Sequence, residues 1–462
     1  MSVRHTVRWA CTDGLLLAAV RRRARAGIPD ARLFCDPAAQ DDPAAFHRRM
    51  RVDRPFGPAA YPDALVTVHH AVARRVLAGA DFGQVAGRRD ALPAAARLAL
   101  RLVGPPPVDG PLVPPSMLVV DGPEHDRLRR LVAPAFSARA VAALRPEIAD
   151  LAAQLLDELA ERAVGGASVD LVEHYTARLP LAVVCRILGL EPGSERTLLR
   201  WGDSVAAALD RGQRRSDHRR AERDLLDLHA WIADRVAAIR RGEAPDDGLL
   251  ARMAAEVDAG GLSEHELLAN AVFVIAAGFE TSVNALAGGT ELLLAHPEQR
   301  ALLAAGPDRW AGAVDEILRC ASPVTRAARR ARHETEVEGV AVPAGTIVTV
   351  DLIAANRDPT VFADPHRFDV TRPDARRQLA FSVGPHHCAG SALARAEIEI
   401  GLRTLLDRFP ELRIAGPREM RTTRIVRGYR RLPVVPGRDT GAGRSASVAT
   451  SATSASTPTP RP

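Results

Sequence analysis

The spacing of apolar residues between about residues 137 and 318 is typical of α-helices. Residues 143–163, 220–241 and 261–297 each carry apolar side chains three and four positions apart, so these side chains share one face of a helix. The sequence therefore predicts that the middle of the chain is almost wholly helical.

The segment 261–297 has a clear start and a clear stop. Ser263 stands three residues before Glu266, which is the spacing of a capping box, and Pro297 follows the last apolar residues. These signals predict a helix of roughly 32 residues, about 48 Å long. Residues 272–277 are apolar on most sides of this helix, so we expect it to be the central helix of the fold.

Alternation of apolar and polar residues, which is typical of strands, appears later, in residues 334–353. Within this stretch, Val-Pro-Ala-Gly at 342–345 is predicted to form a hairpin turn. The Pro-rich residues 104–118 predict a long irregular loop, and such loops are usually functional. The predicted fold class is mainly α with minor β, in a single large domain with a long central helix.

The composition is that of an ordinary globular protein. Of the 462 residues, 47% are hydrophobic and 26% are charged, which argues against a disordered, collagenous or fibrous chain. After Pro436 the residues are almost all small, polar or Pro, and such a segment buries too little apolar surface to fold. We therefore predict a basic N-terminal leader at 1–40, a folded domain at 41–435 and a disordered tail at 436–462.

The positive charge is concentrated at the start of the chain. The net charge is +6, and residues 1–60 hold eleven Arg, six Asp and no Glu, which places +5 in this segment. The rest of the chain is close to neutral, which argues against nucleic-acid binding. The five Cys are scattered and have no CxxC spacing, as in proteins of a reducing cytoplasm.

An apolar run of seven residues at 14–20 follows Arg4 and Arg8, as in a signal peptide. Three arginines at 21–23 interrupt the run, and no stretch reaches the roughly 18 apolar residues of a spanning helix. We therefore expect a cytoplasmic protein without a transmembrane anchor. The alternative is a short amphipathic helix that lies on a membrane surface.

Residues 381–390 read Phe-Ser-Val-Gly-Pro-His-His-Cys-Ala-Gly and precede a strongly amphipathic helix. Cys388 therefore lies just ahead of a helix N-terminus, where free N–H groups stabilise an anion and lower the pKa of a thiol. A thiolate in such a loop suits a soft or borderline metal ion. The alternatives are an inert buried cysteine and a zinc site that uses His386 and His387, although adjacent residues rarely converge on one tetrahedral ion.

The run Phe381, Gly384, His386, Cys388 and Gly390 resembles the haem-binding signature of the cytochrome P-450 family, F-x-x-G-x-H-x-C-x-G. The resemblance extends over about residues 30–435. It implies a haem b cofactor whose iron is bound by the thiolate of Cys388, and a bacterial monooxygenase that inserts one oxygen atom from O₂ into a substrate.

A second segment, from Ala277 to Ser282, resembles the oxygen-activation motif of the same family. Gly278 removes a side chain where a planar ligand would approach the helix. The resemblance implies that Thr281 and Glu280 are catalytic and organise protons, with Glu280 linked to solvent. Without the resemblance, Glu280 and Thr281 would be interpreted as an ordinary polar patch.

His125 and Arg129 are four positions apart, so both lie on one helix face. By resemblance to the family, they bind the haem propionates, with His386 and Arg329 as further donors. Arg326 and Arg330 compete with Arg329 for this role.

Glu316 and Arg319 match the E-x-x-R pair of the family, which is structural. We expect this pair to tie its helix to a loop through Arg372 or Arg357.

The predicted partners follow from the same resemblance. We expect a hydrophobic small-molecule substrate, such as a natural-product intermediate, in a pocket with walls at 84–118, 272–277, 322–328 and 424–431. Electrons would come from a separate ferredoxin and ferredoxin reductase, and Arg127, Arg130 and Arg395 are candidates for docking an acidic ferredoxin. We expect a monomer.

Two alternatives to this function stay open. The same fold could carry out non-oxygenating or peroxide-driven chemistry, although Thr281 argues against it. The protein could also be a non-catalytic haem-binding protein.

Overall fold

The computed structural model describes residues 3–36, 39, 43–51, 54–85, 92–105, 108, 110–210 and 212–442. The helices are α1 (Val3–Trp9), α2 (Leu15–Arg25), α3 (Pro29–Cys35), α4 (Ala44–Met50), α5 (His70–Ala78), α6 (Ala94–Val103), α7 (Gly122–Val132), α8 (Ala138–Arg162), α9 (Arg178–Leu188), α10 (Ser194–Leu199), α11 (Gly202–Ala208), α12 (Arg215–Arg240), α13 (Leu249–Asp258), α14 (Glu264–Ala295), α15 (Pro297–Ala305), α16 (Trp310–Cys320), α17 (Leu352–Ala355) and α18 (Ser391–Arg408).

The strands are short and confirm the mainly α class with minor β. They are β1 (Gly57–Pro58), β2 (Ala64–Thr67), β3 (Phe82–Gly83), β4 (Val169–Asp170), β5 (Arg326–Ala331), β6 (Thr335–Val337), β7 (Val340–Val342), β8 (Ile347–Asp351), β9 (Arg413–Ile414), β10 (Glu419–Met420), β11 (Tyr429–Arg431) and β12 (Pro433–Val435). The largest sheet has the order β1-β2-β8-β5-β3, with β2 parallel to β8 and its other pairs antiparallel.

The long helix α14 is the predicted central helix. It has 32 residues, and Ser263 and Glu266 form the predicted capping box at its start. It packs against α9, α16 and α18 in the main hydrophobic core. Its most apolar window is long enough to cross a membrane, but 78% of that window is buried inside the protein. Its apolar composition is therefore explained by its place in the core.

The predicted position of the hairpin turn is wrong. The hairpin joins β6 to β7, and its turn is formed by Glu338 and Gly339, which both have positive φ values, 50° and 74°. Positive φ at both central residues gives the twist that a two-residue hairpin requires. The segment 342–345 instead leads into β8, which pairs with β5 and β2.

Both end segments of the described chain contact the predicted domain. Residues 3–36 are packed on the domain, since the Asp13 carboxylate accepts a hydrogen bond from the Gly212 N–H at 2.7 Å and Asp30 pairs with Arg326 at 2.5 Å. Packed structure also continues beyond 435, because Asp439 pairs with Arg408 at 3.1 Å. Residues 443–462 of the predicted tail lie outside the described residues.

Candidate active site

A cavity of about 1650 Å³ is lined by both the central helix α14 and the loop that carries Cys388. Sites for drug-sized ligands occupy about 300–1,000 Å³, so this cavity has room for a large flat group and a substrate together. Ten of the twelve predicted site residues line it, and Glu280 and Gly384 do not. The ten are His125, Arg129, Ala277, Gly278, Thr281, Arg329, Phe381, His386, Cys388 and Gly390.

All four predicted wall segments contribute to the cavity, and most of the lining side chains are apolar. Within the segment 84–118, residues 86–91, 106–107 and 109 lie outside the described residues.

Sequence reasoning missed several further parts of the wall. Arg8, Leu15 and Leu16 line the cavity from the N-terminal segment. The end of α11 and the first half of α12, with the segment between them, contribute Ala208, Leu209, Asp210, Gln213, His218, Ala221, Glu222 and Leu225. The pattern of each segment predicts a helix, but which cavity a helix faces is decided by packing between distant parts of the chain.

The cysteine loop is shaped by its contact with α5. Gly384 has φ of 80°, and a Cβ there would lie 2.6 Å from the Ala78 Cα. Only glycine fits both conditions. The Cys388 N–H donates to the Phe381 carbonyl at 2.9 Å, which closes the loop just before α18 begins. Gly390 has φ of −85°, and a Cβ there would meet Phe136 at an ordinary 3.7 Å, so within the protein this position does not require glycine.

The pKa of the Cys388 thiol is shifted in the direction opposite to the one expected from the sequence. The thiol is accessible from the cavity but is surrounded by protein, and this burial raises the pKa of the Cys388 thiol. The Gly390 N–H and the charges of Arg129 and Arg395 oppose this rise without overcoming it. Burial therefore acts on this thiol in the direction opposite to the expected effect of the helix terminus.

A cluster of donors lines the cavity beside the cysteine loop. The Arg129 guanidinium donates to the carbonyl of His387 at 2.8 Å. The rings of His125 and His386 lie 4.1 Å apart, and His386 Nε2 is 2.9 Å from Asp121 Oδ1. Burial lowers the pKa of His386.

The three arginines that compete for the same predicted role, Arg326, Arg329 and Arg330, have different surroundings. The guanidinium of Arg329 lines the cavity and donates to the Ala328 carbonyl at 2.9 Å, and burial lowers the pKa of Arg329 to about 10. It therefore stays charged at neutral pH. Arg326 also lines the cavity, but it is paired with Asp30 and Asp351, and these carboxylates raise its pKa. Arg330 does not line the cavity.

Thr281 and Gly278 of α14 both line the cavity, one with a hydroxyl group and the other without a side chain. The Thr281 hydroxyl donates to the Ala277 carbonyl at 2.7 Å and lines the cavity. A Cβ on Gly278 would lie 2.9 Å from Val184 Cγ2. The missing side chain of Gly278 therefore makes room for α9, and Gly278 also lines the cavity.

Glu280 is fully buried, so its carboxylate has no direct contact with solvent. Its Oε1 lies 2.7 Å from Arg421 Nε and accepts a 3.4 Å hydrogen bond from Asn284. Because α14 turns by about 100° per residue, adjacent positions cannot face the same way, and Thr281 takes the cavity side.

The predicted Glu316–Arg319 pair is confirmed as a buried ion pair with a distance of 2.6 Å. Arg372 joins it at 3.2 Å from Glu316, whereas Arg357 donates to the Cys320 carbonyl. Arg319 also donates to the carbonyls of Asn356, Pro365 and Arg367. These contacts hold the segment that leads to the cysteine loop.

Known proteins resemble this chain along most of its length. The family model described as Cytochrome P-450 matches residues 311–421. A cytochrome P-450 of Mycobacterium tuberculosis is 39% identical over 435 residues, which are 93% of this chain and 97% of the relative. The 6-deoxyerythronolide B hydroxylase of Saccharopolyspora erythraea is 40% identical over 323 residues, which are 69% of this chain and 77% of that protein.

The chain belongs to the cytochrome P-450 family. The solved structure of the monooxygenase TamI with bound tirandamycin C has the same fold, with a TM-score of 0.74 and 30% identity over 87% of this chain and 98% of that chain. Cytochromes P-450 are oxidoreductases that use haem b, and the relatives named above include a hydroxylase and a monooxygenase.

The cavity of this P-450 fits haem b by the chemistry of its residues. Cys388 offers a thiol to the iron from the loop before α18, and Ala277 and Gly278 line the cavity from α14 without large side chains. The side chains of His125, Arg129, Arg329 and His386 supply N–H donors for carboxylates.

Proposed function

We propose that this P-450 is a monooxygenase that acts on a hydrophobic small molecule, such as a natural-product intermediate. The observation that carries the proposal is that Cys388 and Thr281 line one large cavity whose walls are mostly apolar. The names of the relatives support it, since the hydroxylase and the tirandamycin-bound monooxygenase act on or bind compounds of that kind.

Cys388 would hold the haem iron, and His125, Arg129, Arg329 and His386 would hold the haem carboxylates. When bound, the haem supplies the reductive activation of O₂. One oxygen atom enters a substrate C–H bond and the other leaves as water, with a pair of electrons from a reductant and a pair of protons from solvent.

Thr281 is the residue that would move a proton inside the cavity. Its Oγ1 donates to the Ala277 carbonyl, and rotation about χ1 would let the same hydroxyl donate to O₂ held in the cavity. Glu280 cannot reach the cavity from its position beside Arg421. It would therefore act through neighbouring groups, as a positioning residue.

The electron donor we propose is a separate acidic ferredoxin with its reductase, and the enzyme would be a cytoplasmic monomer. Arg127 is held by Glu266, and Arg395 is held by Asp315 and stacked on Phe381, so both are partly used inside the protein. Arg130 is exposed on the same helix as Arg129. Of the three candidates, Arg130 is best placed to meet a partner.

Labelled oxygen tests the reaction class. The holoenzyme is incubated with a polyketide macrolactone, a surrogate ferredoxin and reductase, NADPH and ¹⁸O₂, and the product is analysed by mass spectrometry. Incorporation of one labelled atom is expected. A product without label would favour the non-oxygenating alternative, and turnover that requires peroxide would favour the peroxide-driven one.

A further inference from the structure

Tyr61 brings a hydroxyl group to the cavity from outside the cysteine loop and α14. It stands in the turn between β1 and β2, lines the cavity and is partly exposed. Among the residues that the structure describes, none forms a hydrogen bond with this hydroxyl. Polar groups inside proteins are normally paired, so an unpaired hydroxyl in the wall of a ligand cavity is available to a ligand.

The other two tyrosines of the chain use their hydroxyls within the protein. Tyr175 donates to the Gly401 carbonyl at 2.7 Å, and Tyr429 donates to the Glu291 carboxylate. Neither of these two tyrosines lines the cavity. Tyr61 therefore differs from both in its position and in the lack of a partner for its hydroxyl.

The ring of Tyr61 is held by contacts with the N-terminal segment. It lies edge to face with the ring of Phe34, with 5.5 Å between the centroids and an angle of 73° between the planes. The backbone directly before it is also fixed, because the Ala60 N–H donates to the Asp30 carboxylate at 2.5 Å. A hydroxyl on a ring fixed in this way can select for a ligand atom at one place, since little side-chain freedom is lost on binding.

The charges that act on the Tyr61 hydroxyl leave no excess of positive charge. They belong to two arginines and two aspartates, which are Arg326, Arg424, Asp30 and Asp210. Arg326 pairs with Asp30 at 2.5 Å, and Asp210 accepts a hydrogen bond from the backbone N–H of Arg424 at 2.9 Å. An anionic group on a ligand would therefore find no unpaired cation here.

The Tyr61 hydroxyl is a neutral hydrogen-bond donor. Burial raises the pKa of Tyr61, so the hydroxyl keeps its proton. Asp63, which also lines the cavity, is exposed and would repel a carboxylate on a ligand. The group that matches this donor is a neutral oxygen acceptor, such as a ketone, ester or hydroxyl oxygen.

We propose that Tyr61 determines specificity by donating a hydrogen bond to a neutral oxygen atom of the substrate, while the carbon to be oxidised is held at the haem. The inference rests on the proposed function in calling this ligand the substrate. It narrows the substrate class to hydrophobic molecules that carry a ketone, ester or hydroxyl group away from the oxidised carbon.

Binding of alkylimidazoles to the holoenzyme tests the proposal without any turnover. Imidazole binds haem iron and shifts the Soret band, so the shift measures the dissociation constant while the alkyl chain extends into the cavity. Two series of increasing chain length are compared, one with a plain alkyl end and one with a ketone near that end. At the length that reaches Tyr61, Tyr61→Phe should weaken binding of the ketone by about two- to tenfold, as for a neutral hydrogen bond, and leave the plain chain unchanged.

The other two tyrosines supply matched controls. Tyr429→Phe removes a hydroxyl outside the cavity and should bind both series like the wild type. Tyr175→Phe should lower the melting temperature, because the Gly401 carbonyl loses a buried hydrogen bond. Tyr61→Phe should leave the melting temperature unchanged, since its hydroxyl has no partner among the described residues.

Three results would overturn the proposal. They are equal effects of Tyr61→Phe on ketone and plain chains at every length, the same loss of ketone binding in Tyr429→Phe, and a lower melting temperature of Tyr61→Phe, which would show a structural role. None of them depends on oxygen transfer, so the labelled-oxygen experiment judges the proposed function separately.

Discussion

The guanidinium of Arg129 donates a 2.8 Å hydrogen bond to the carbonyl of His387, the residue directly before Cys388. This contact joins α7 to the cysteine loop, which are far apart in the sequence. Arg129 therefore has a structural role at the loop in addition to the proposed binding of a haem carboxylate.

Replacement of Arg129 by Gln should accelerate haem loss. Hydrogen bonds to charged groups contribute about 1.5–3 kcal/mol, so the rate of haem loss should rise by about tenfold or more. Transfer of haem to apomyoglobin, followed at the Soret band, measures this rate. The control is Arg130→Gln, on the exposed neighbouring position, and equal rates in the two variants would contradict the role of Arg129.

Replacement of Thr281 by Ala should uncouple NADPH oxidation from product formation. The cavity then lacks the hydroxyl that we propose to move a proton, and loss of such a group costs about a hundredfold or more in the step it serves. NADPH consumption, peroxide and product are measured together. Thr281→Ser retains the hydroxyl and should restore most of the coupling, whereas unchanged coupling in Thr281→Ala would favour a reaction that does not use this residue.

Ser382 occupies a backbone conformation that favours glycine. Its φ is 59°, and among the described residues its hydroxyl has no hydrogen-bond partner. A left-handed conformation costs a non-glycine residue about 1–2 kcal/mol. Ser382→Gly should therefore raise the free energy of unfolding by about 1 kcal/mol, after the greater flexibility of glycine in the unfolded chain is taken into account.

Chemical denaturation measures this gain. Ser382→Ala is the control, because alanine keeps the unfavourable φ and removes only the hydroxyl. An equal gain in both variants would show that the hydroxyl, and not the backbone, is responsible.

Glu397 gives the fold a dependence on pH. Burial raises the pKa of Glu397 to about 8, although the Ser282 hydroxyl donates to its Oε2 at 2.6 Å. The folded protein holds this proton more tightly than the unfolded chain does. The contribution to stability is therefore complete below the ordinary Glu pKa of about 4.3 and is lost as the pH rises to about 8.

The variant Glu397→Gln should remove this part of the pH dependence, because Gln resembles the neutral acid. The free energy of unfolding of the wild type should fall more between pH 5 and pH 8 than that of the variant, by about 1.4 kcal/mol for each unit of pKa shift. Glu399→Gln keeps Glu397 and should follow the wild type. Parallel pH profiles of the wild type and Glu397→Gln would contradict the assignment.

Periodicity and local signals predicted the main elements of the fold. The central helix has its predicted capping box and length, since both depend on residues close together in the chain. The position of the hairpin turn was missed because Val-Pro-Ala-Gly and Glu-Gly are both plausible turns. The choice between them depends on which strand finds a partner in the sheet.

The site was predicted from its motif residues, and the errors concern their surroundings. Glu280 is next to Thr281 in the sequence, yet it faces Arg421 from a distant turn, and no local pattern indicates that partner. The higher pKa of Cys388 likewise arises from burial by distant segments. The direction in which a side chain points and the exclusion of water around it both depend on packing between distant segments, so a local sequence pattern does not reveal them.

The difference spectrum of the reduced, CO-bound holoenzyme against the reduced holoenzyme tests the central claim most directly. A strongly red-shifted Soret band is predicted, because the claim is that the Cys388 thiolate binds the haem iron. Cys388→Ser should lose this band even if haem is retained. A band at the position of histidine- or thiol-ligated haem in the wild type, or a red-shifted band that survives in Cys388→Ser, would contradict the account.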